Sequence, residues 1–303
     1  MTKVVATTTM AMILYESGLL ELDVPIAETA PEFLADSVNG DEARRRQVTF
    51  RMLLAHSSGL PAYEKLFLKT RSRDELLKLA FSTPLAADPG SRAEYSDIGF
   101  IILAAALERI GKESLDNFTQ RHIFGPLAMT STTFNPAEDL RLRIPPTADE
   151  REGATQSRSA FRNRVIQGEV QDENAFVLGG VAGHAGLFSS AEDIARFAHS
   201  LLKGGSPILR AQTIELFTRR QTNPPGTSRA LGWDTPSSPS QSGRYFGPKS
   251  FGHLGYAGTS LWIDSDRQLS VTLLTNRTWP DCSNQAIKQV RPKFHDAVVE
   301  ALR

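Results

Sequence analysis

The 303-residue sequence contains one cysteine, Cys282. A single thiol excludes an internal disulfide and any cysteine-cluster metal site, though not an oxidising compartment. Net charge is missing as well, because 34 Lys and Arg balance 34 Asp and Glu. That leaves no electrostatic footprint for nucleic acid or an anionic membrane. The densest basic run, Arg44-Arg45-Arg46, is bracketed by Asp41, Glu42 and a polar loop, and reads as a solvated face. No stretch is long and apolar enough to span a bilayer. No G-x-S-x-G elbow occurs, which disfavours an α/β-hydrolase. Six histidines scattered without ligand spacing disfavour a metal hydrolase, so neither metal nor cofactor is expected. Internal repeats and low-complexity tracts are absent too. What remains is ordinary globular material, 40% hydrophobic and 22% charged, enough for one large domain or two packed lobes.

The first two thirds read as helical. Val4 to Tyr15 is an apolar, threonine-rich helix with Lys3 on its first turn and Gly18 as its stop. Thr49 caps a helix to Ala55, and Ser72-Arg73-Asp74-Glu75 is a capping box for one reaching about Phe81. Asp97 to Ile110 is apolar nearly all round and should be buried, with Gly111 ending it. Ser114 starts another helix to about Phe124. Ser190 caps one through Leu202, closed by Gly204-Gly205, and Pro207 opens one to about Arg219. Between them, Leu142 to Gly186 is long and mostly irregular, with a basic patch around Arg158 to Arg164 and a glycine-rich end. Such a loop lines a site or is disordered.

The last third changes character. Tyr245 to His253, Thr259 to Asp264 and Gln268 to Thr275 read as strands, the last two joined at Asp264-Ser265-Asp266-Arg267 as an antiparallel hairpin. A closing helix from about Ser283 to Leu302 shows an apolar stripe of Ile287, Val290, Phe294, Val298 and Leu302. Helices followed by strands argue for an α+β fold.

Three stretches carry candidate chemistry, and each has a plainer reading. Lys3 is by default a solvated terminal charge. As the n-region of a signal peptide it fares poorly, because Thr7-Thr8-Thr9 interrupts the apolar core and no cleavage site follows. Tyr95-Ser96-Asp97 places a tyrosine before the buried helix, where it can serve as a base if a cation stands beside it. Read plainly, it is a packing tyrosine and an N-cap. Gly252 to Thr259 surrounds His253 with three glycines, which free backbone N–H groups for an oxyanion. Read plainly, it is a hairpin turn. Asp172-Glu173-Asn174 is best taken as a loop held by its own Asx turns, with a pocket rim shared with His184 as the functional alternative.

The order of the three stretches matters more than any one of them. A first-turn lysine, a Tyr-x-Asp and a late His-x-Gly follow the order of S-x-x-K, Y-x-N and K-T-G. On these residues the sequence resembles the class C β-lactamase and penicillin-binding-protein family, which includes esterases and D-aminopeptidases. Arg51 to Pro61 resembles its LL-x-H-x-SGLP turn, Tyr95 to Phe100 its YS-N/D-x-x-F/Y, and Gly183 to Asp193 its GGL-x-ST-x-x-D segment. The resemblance implies a β-lactamase/transpeptidase-like fold, an antiparallel sheet flanked by helices plus a mostly helical lobe. It implies one domain over 1–303, with the helical lobe at about 26–190, the sheet lobe at about 205–303 and helix 3–17 at their interface. Lys3 would match the lysine that takes the nucleophile's proton or supports the tyrosine, and Tyr95 the tyrosine shared by acylation and deacylation. Asp97 stands where asparagine is commoner. His253 replaces the lysine of K-T-G, and a neutral imidazole attracts a carboxylate less than an ammonium does. Gly255, Tyr256 and Gly258 would form the substrate and oxyanion strand, with His184 at the pocket rim.

The resemblance also marks what is lacking. The serine of S-x-x-K would stand directly upstream of Met1, and the family's N-terminal strands would precede it; both are missing. Either the start is set too late, or the chain is a truncated, inactive homologue that binds peptidoglycan-like or acyl ligands. The first is favoured, because the rest of the pattern is intact. Thr2 as an N-terminal nucleophile is disfavoured, since such residues sit at the mouth of a sheet sandwich and this one opens a helix. The expected function is a serine acyl hydrolase acting on an ester, β-lactam or D-amino-acid peptide through an acyl-enzyme, with the chain as written inactive. Its partner would be a small-molecule or peptidoglycan-like substrate, and the parent protein periplasmic or secreted. Oligomeric state is not readable, although an uncovered sheet edge invites association.

Overall fold

The computed structural model describes residues 1–35, 40–152 and 161–303. The chain begins as a π-helical stretch, Lys3–Thr8, that runs into α1 (Thr9–Glu16). Every residue from Val4 to Met12 is buried. Threonine survives there because its hydroxyl can reach a nearby carbonyl. Thr9 Oγ1 donates to Val4 O at 2.9 Å, and Thr7 Oγ1 to Gly183 O at 2.7 Å. The polar run that breaks the apolar pattern in sequence is thus inside the core.

Two short helices follow with the caps expected of them. Thr49 accepts from Met52 N ahead of α2 (Phe50–Leu54), and Ser72 from Glu75 N ahead of α3 (Arg73–Phe81). The reciprocal half of the capping box does not form, because the Glu75 carboxylate takes the Thr70 hydroxyl at 2.6 Å instead. The run at 44–46 is a solvated face at Arg44 and Arg46 but not at Arg45. Arg45 is wholly buried and donates to the carbonyls of Phe33, Phe81 and Thr83 at 3.0, 2.9 and 2.6 Å.

The helix that everything else leans on is α4 (Asp97–Gly111), buried without a break from Ile98 to Leu107. Each fully buried Ile, Leu or Phe on it contributes about 1.5–3 kcal/mol. Gly111 does not end it. Gly111 is still helical, and Lys112 takes the left-handed cap position at φ 52°. A Cβ on Gly111 would lie 3.1 Å from Met10 Cε, so this glycine records the close approach of α1.

Residues 142–186 hold more structure than an irregular loop. The short strands β1 (Thr133–Phe134), β2 (Ala148–Asp149), β3 (Val165–Ile166) and β4 (Leu187–Phe188) pair antiparallel as β1 with β4 and β2 with β3. A helical turn, α5 (Glu173–Val177), is capped by Asp172. Within the basic patch Arg162 is buried against Glu150 at 2.6 Å and Arg164 pairs with Glu169; Arg158 lies outside the described residues. Ser190 caps α6 (Ala191–Leu202) as expected. The next helix, α7 (Ala211–Thr218), starts later than Pro207, because Ile208 N and Leu209 N first close a turn onto Gly205 O.

Three strands form the main sheet in the order β5 (Phe251–Leu254), β6 (Ser260–Asp264), β7 (Leu269–Leu273), all antiparallel. The Asp264–Arg267 turn joins the last two, with the Asp264 carboxylate accepting from Arg267 N at 3.0 Å. Tyr245 to Ser250 does not extend β5; turns at Gly243 and Gly247 occupy it. The closing helix, α8 (Ile287–Ala301), buries Ile287, Arg291, His295 and Val299. Of the apolar stripe read from sequence, Ile287 is buried and Phe294 and Val298 pack half-buried against Phe246, Trp262, Val271 and Val299. Val290 and Leu302 are exposed. The face is selected by polar partners. Arg291 donates to Gly255 O and Thr259 O at 2.6 and 2.9 Å, and His295 Nε2 lies 3.0 Å from Ser260 Oγ.

Candidate active site

Two segments distant in sequence are spliced side by side at the start of α4. Asp97 N donates to Ala62 O and Glu94 N to His56 O, both at 2.8 Å. Ser96 N donates to His56 Nδ1 at 3.0 Å, and Ser96 Oγ to Pro61 O at 2.7 Å. The 56–62 turn and the Tyr95-Ser96-Asp97 segment, two separate motifs in sequence, are therefore one physical unit. Ser96 also accepts from Gly99 N at 3.0 Å, so the N-cap reading holds beside any other role.

Lys3 reaches this unit from the N-terminal helix. Its Nζ lies 2.5 Å from Asp97 Oδ1, 3.4 Å from His184 O and 4.6 Å from the centre of the Tyr95 ring. Thr7, one π turn later, takes the adjacent carbonyl of Gly183, and Thr2 Oγ1 accepts from Leu187 N at 3.2 Å. Gly183 has to be glycine, since a Cβ there would stand 2.2 Å from Phe100 O on α4. The glycine-rich loop is clamped between the two helices and presents carbonyl oxygens to the lysine.

On the far side, residues 255–259 make a turn after β5. Gly255 N donates to Thr259 O at 2.8 Å, and Gly258 N to Gly255 O at 3.1 Å. Arg291 holds the carbonyls at both ends of this turn. Arg277 holds the middle, with Nε on Tyr256 O and its backbone N on Ala257 O, both at 2.8 Å. These contacts fix the backbone of the turn, with Gly255 N–H and Gly258 N–H spent within it.

Two cavities meet at Tyr95. The larger, about 770 Å³, is walled by Lys3, Tyr95, Asp97, Asp172, His184 and the 254–257 turn, among others. The smaller, about 310 Å³, is lined by Tyr95, His253, the same turn and four cations, Arg229, Arg277, Lys288 and Arg291, against one carboxylate, Asp234. His253 therefore faces the second cavity, 6.0 Å from Tyr95 between ring centres. Gly258 lines neither; at φ 111° and with no room beside Thr275 Oγ1, it closes the turn.

Burial alone pushes the Lys3 ammonium toward neutrality, but Tyr95 and Asp97 outweigh it and hold the lysine pKa above its usual value. Burial, with Lys3 and Arg229 nearby, holds His56 and His253 well below the usual histidine range, so both rings are neutral. His253 Nδ1 lies 2.7 Å from Leu254 O, which assigns the proton to that nitrogen and leaves Nε2, buried and without a hydrogen bond, as a bare acceptor. Asp172 is buried, which raises a carboxyl, yet His184 at 2.8 Å and Ala175 N–H bring it below the ordinary range.

Sequence reading named Lys3, Tyr95, Asp97, His184, His253, Gly255 and Tyr256, and the fold brings these seven around the two cavities. It preferred Asp172 as a loop residue held by Asx turns, with a rim shared with His184 only as the alternative; Asp172 both caps α5 and pairs with His184. It missed Arg229, Arg277 and Arg291, whose partners lie in other segments and leave no local signature.

Residues 1–291 match the sequence profile of the Beta-lactamase family, and the chain belongs to that family. Its members are serine hydrolases of the β-lactamase and penicillin-binding-protein type. The chain is 31% identical over 295 residues to the "Putative D-alanyl-D-alanine carboxypeptidase" of Escherichia coli (strain K12), covering 91% of this chain and 67% of that protein. It is 31% identical over 299 residues to the N-acetylmuramyl-L-alanine amidase of Bacillus subtilis (strain 168), covering 91% and 66%. It thus spans about two thirds of the length of these curated relatives. Among solved structures, EstCE1, a hydrolase with promiscuous acyltransferase activity, superposes with a TM-score of 0.75 at 22% identity, covering 97% of this chain and 83% of that one. The fold is the α+β, β-lactamase/transpeptidase-like one. No helix among the described residues is long and apolar enough to cross a membrane.

Proposed function

We propose that this chain carries the catalytic body of a serine acyl hydrolase whose substrates bear a carboxylate, as β-lactams and D-amino-acid peptides do. The nucleophile is the serine of an S-x-x-K motif, directly upstream of Met1 in the working enzyme. The observation that carries this reading is the meeting of Lys3, Tyr95, Asp97 and the His253–Thr259 strand and turn at one pair of cavities. The excess of cations in the smaller cavity favours carboxylate-bearing substrates over simple esters.

The mechanism follows from which groups can move a proton. Lys3, held as an ammonium, supplies charge and position but no lone pair. The serine oxygen attacks the substrate carbonyl while its proton passes to the oxygen of Tyr95, acting as the phenolate beside the Lys3 ammonium. The resulting oxyanion faces the Tyr256 N–H of the 255–259 turn. As the bond to the leaving group breaks, Tyr95 returns the proton to it. Water then repeats the cycle on the acyl-enzyme.

Two forms of the protein test this. The 303-residue polypeptide is expected to show no burst of product with p-nitrophenyl esters, β-lactams or D-alanyl peptides. The same chain extended upstream through a serine is expected to show one. An extended form inert to all three substrate classes removes the hydrolase reading and leaves a binding module for acyl or peptidoglycan-like ligands. In the active form, a D-alanyl-D-alanine peptide should exceed its C-terminal amide in kcat/KM by about tenfold or more, the worth of a charge-assisted hydrogen bond. Arg229→Met should bring that ratio toward one; an equal loss on both substrates would show that Arg229 does not read the carboxylate.

A further inference from the structure

The 56–62 turn does more than hold the start of α4, and one residue in it makes two of the four bonds. His56 accepts Glu94 N on its carbonyl oxygen at 2.8 Å and Ser96 N on its imidazole Nδ1 at 3.0 Å. These are the residues on either side of Tyr95. The same imidazole lies against the tyrosine ring, with centroids 4.6 Å apart and planes tilted by 35°. We infer that His56 is the positioning residue for Tyr95, fixing both flanking peptide groups and the ring itself so that the phenol oxygen points where a proton must be taken and returned. The inference rests on the hydrolase reading for its consequence, though not for its geometry.

Tyr95 needs such a device. It stands outside regular structure, one residue before the N-cap of α4, so no helical or sheet ladder sets its backbone. Its side chain is 38% exposed and packing alone does not fix the ring. Proton transfer demands hydrogen-bond reach, and a misplacement of about 1 Å can cost on the order of 100-fold in rate. Two hydrogen bonds that bracket a residue hold its peptide planes as a strand ladder would.

The choice of histidine supports this. His56 adopts φ 56°, a left-handed conformation that glycine or asparagine enters more easily. A turn that needed only that shape would not call for an imidazole. What histidine adds is an acceptor at the reach of Ser96 N together with an aromatic face for Tyr95. The ring is 3% exposed and is kept neutral by burial, Arg229 and Lys3, so Nδ1 retains the lone pair that accepts. Nε2 is buried with no hydrogen-bond partner among the described residues. That unmet donor is a cost tolerated in exchange for the acceptor on the other side of the ring.

Two substitutions separate the possibilities. In His56→Asn the amide oxygen replaces Nδ1 and the left-handed backbone is well tolerated. In His56→Gln the oxygen falls near the place of Nε2, leaving Ser96 N without its acceptor. If His56→Gln does not fold, His56→Ala removes both acceptor and ring with little bulk. The first readout needs no nucleophile: the Cζ resonance of Tyr95 in ¹³C-tyrosine-labelled 303-residue protein, assigned through Tyr95→Phe. His56→Gln is expected to shift and broaden that resonance, and His56→Asn to leave it sharp. In the serine-extended enzyme, His56→Gln should lower kcat by about 100-fold with KM little changed, and His56→Asn should recover most of the loss. A Tyr95 resonance unmoved in His56→Gln overturns the inference, as does an equal kcat loss in both variants at an unchanged melting temperature. If the unsubstituted extended enzyme is itself inert, the hydrolase reading fails while the resonance still decides for or against His56.

Discussion

Asp97→Ala should make the stability of the protein rise with alkaline pH, where Lys3 in the parent gives no slope. In the unsubstituted chain the Lys3 pKa is raised above the ordinary 10.5, because Tyr95 and Asp97 overcome the burial that opposes them. A base raised on folding contributes stability that is complete below its unfolded pKa and is lost as pH climbs through the folded one. Between pH 7 and 10, Lys3 therefore adds no slope. Removing Asp97 leaves an ammonium with 2% exposure and no carboxylate partner. With only Tyr95 left to oppose it, burial should dominate and the lysine should fall below its ordinary value. The variant should be destabilised by about 3–5 kcal/mol at neutral pH, the usual cost of stranding one member of a buried pair. It should regain stability as pH rises toward the unfolded lysine pKa. Denaturant midpoints measured from about pH 8.5 to 10, above the range in which the buried Met1 amine, lowered to about 5, adds a rise of its own, would show a rising line for Asp97→Ala and a flat one for the parent. Parallel profiles would mean that the ion pair is not what keeps this charge inside. Asp97→Asn should show the same slope with a smaller loss, because its amide oxygen still accepts from Nζ.

The second large effect belongs to Tyr95. In the serine-extended enzyme, Tyr95→Phe should reduce kcat by about 10²–10⁴-fold, the range for a positioned general acid–base group. The ring keeps its contact with His56, so the melting temperature should stay close to that of the parent. Single-turnover experiments should find acyl transfer to the enzyme and its hydrolysis both slowed, since one phenol serves both halves. A loss smaller than about tenfold would transfer the proton-carrying role to another group and end the present mechanism.

How far the sequence discloses the molecule depends on the distance between partners. The caps at Thr49, Ser72 and Ser190 are legible because each side chain meets an N–H three residues on. Lys3, Tyr95 and His253 are legible because they fall in the order of three family motifs. Arg45 was misread, since its carbonyl partners at Phe33, Phe81 and Thr83 lie up to 38 residues away and nothing beside it announces burial. The closing helix was misread in part for the same reason. Ile287, Phe294 and Val298 of its apolar stripe do pack inward, but hydrogen bonds from Arg291 and His295 to residues 255–260 turn the buried face away from Val290 and Leu302. Gly111 carried a stop signal by composition and turned out to mark a helix crossing, which only the packing of Met10 reveals. Asp172 was read as a loop residue tied to its own backbone. That is half of what it does; the other half, its contact with His184, needs the loop to fold back over twelve residues.

The clamp on the 255–259 turn has a bearing on when the protein becomes competent. Lys3 waits for partners 94 and 181 residues downstream, and the turn is not gripped until Arg291 arrives. Contacts of such separation form late, after the entropy of closing long loops has been met. Without the Ile287–Ala301 helix, Lys3, Tyr95 and Asp97 would still meet, while the 255–259 turn would lack the Arg291 grip on both its ends.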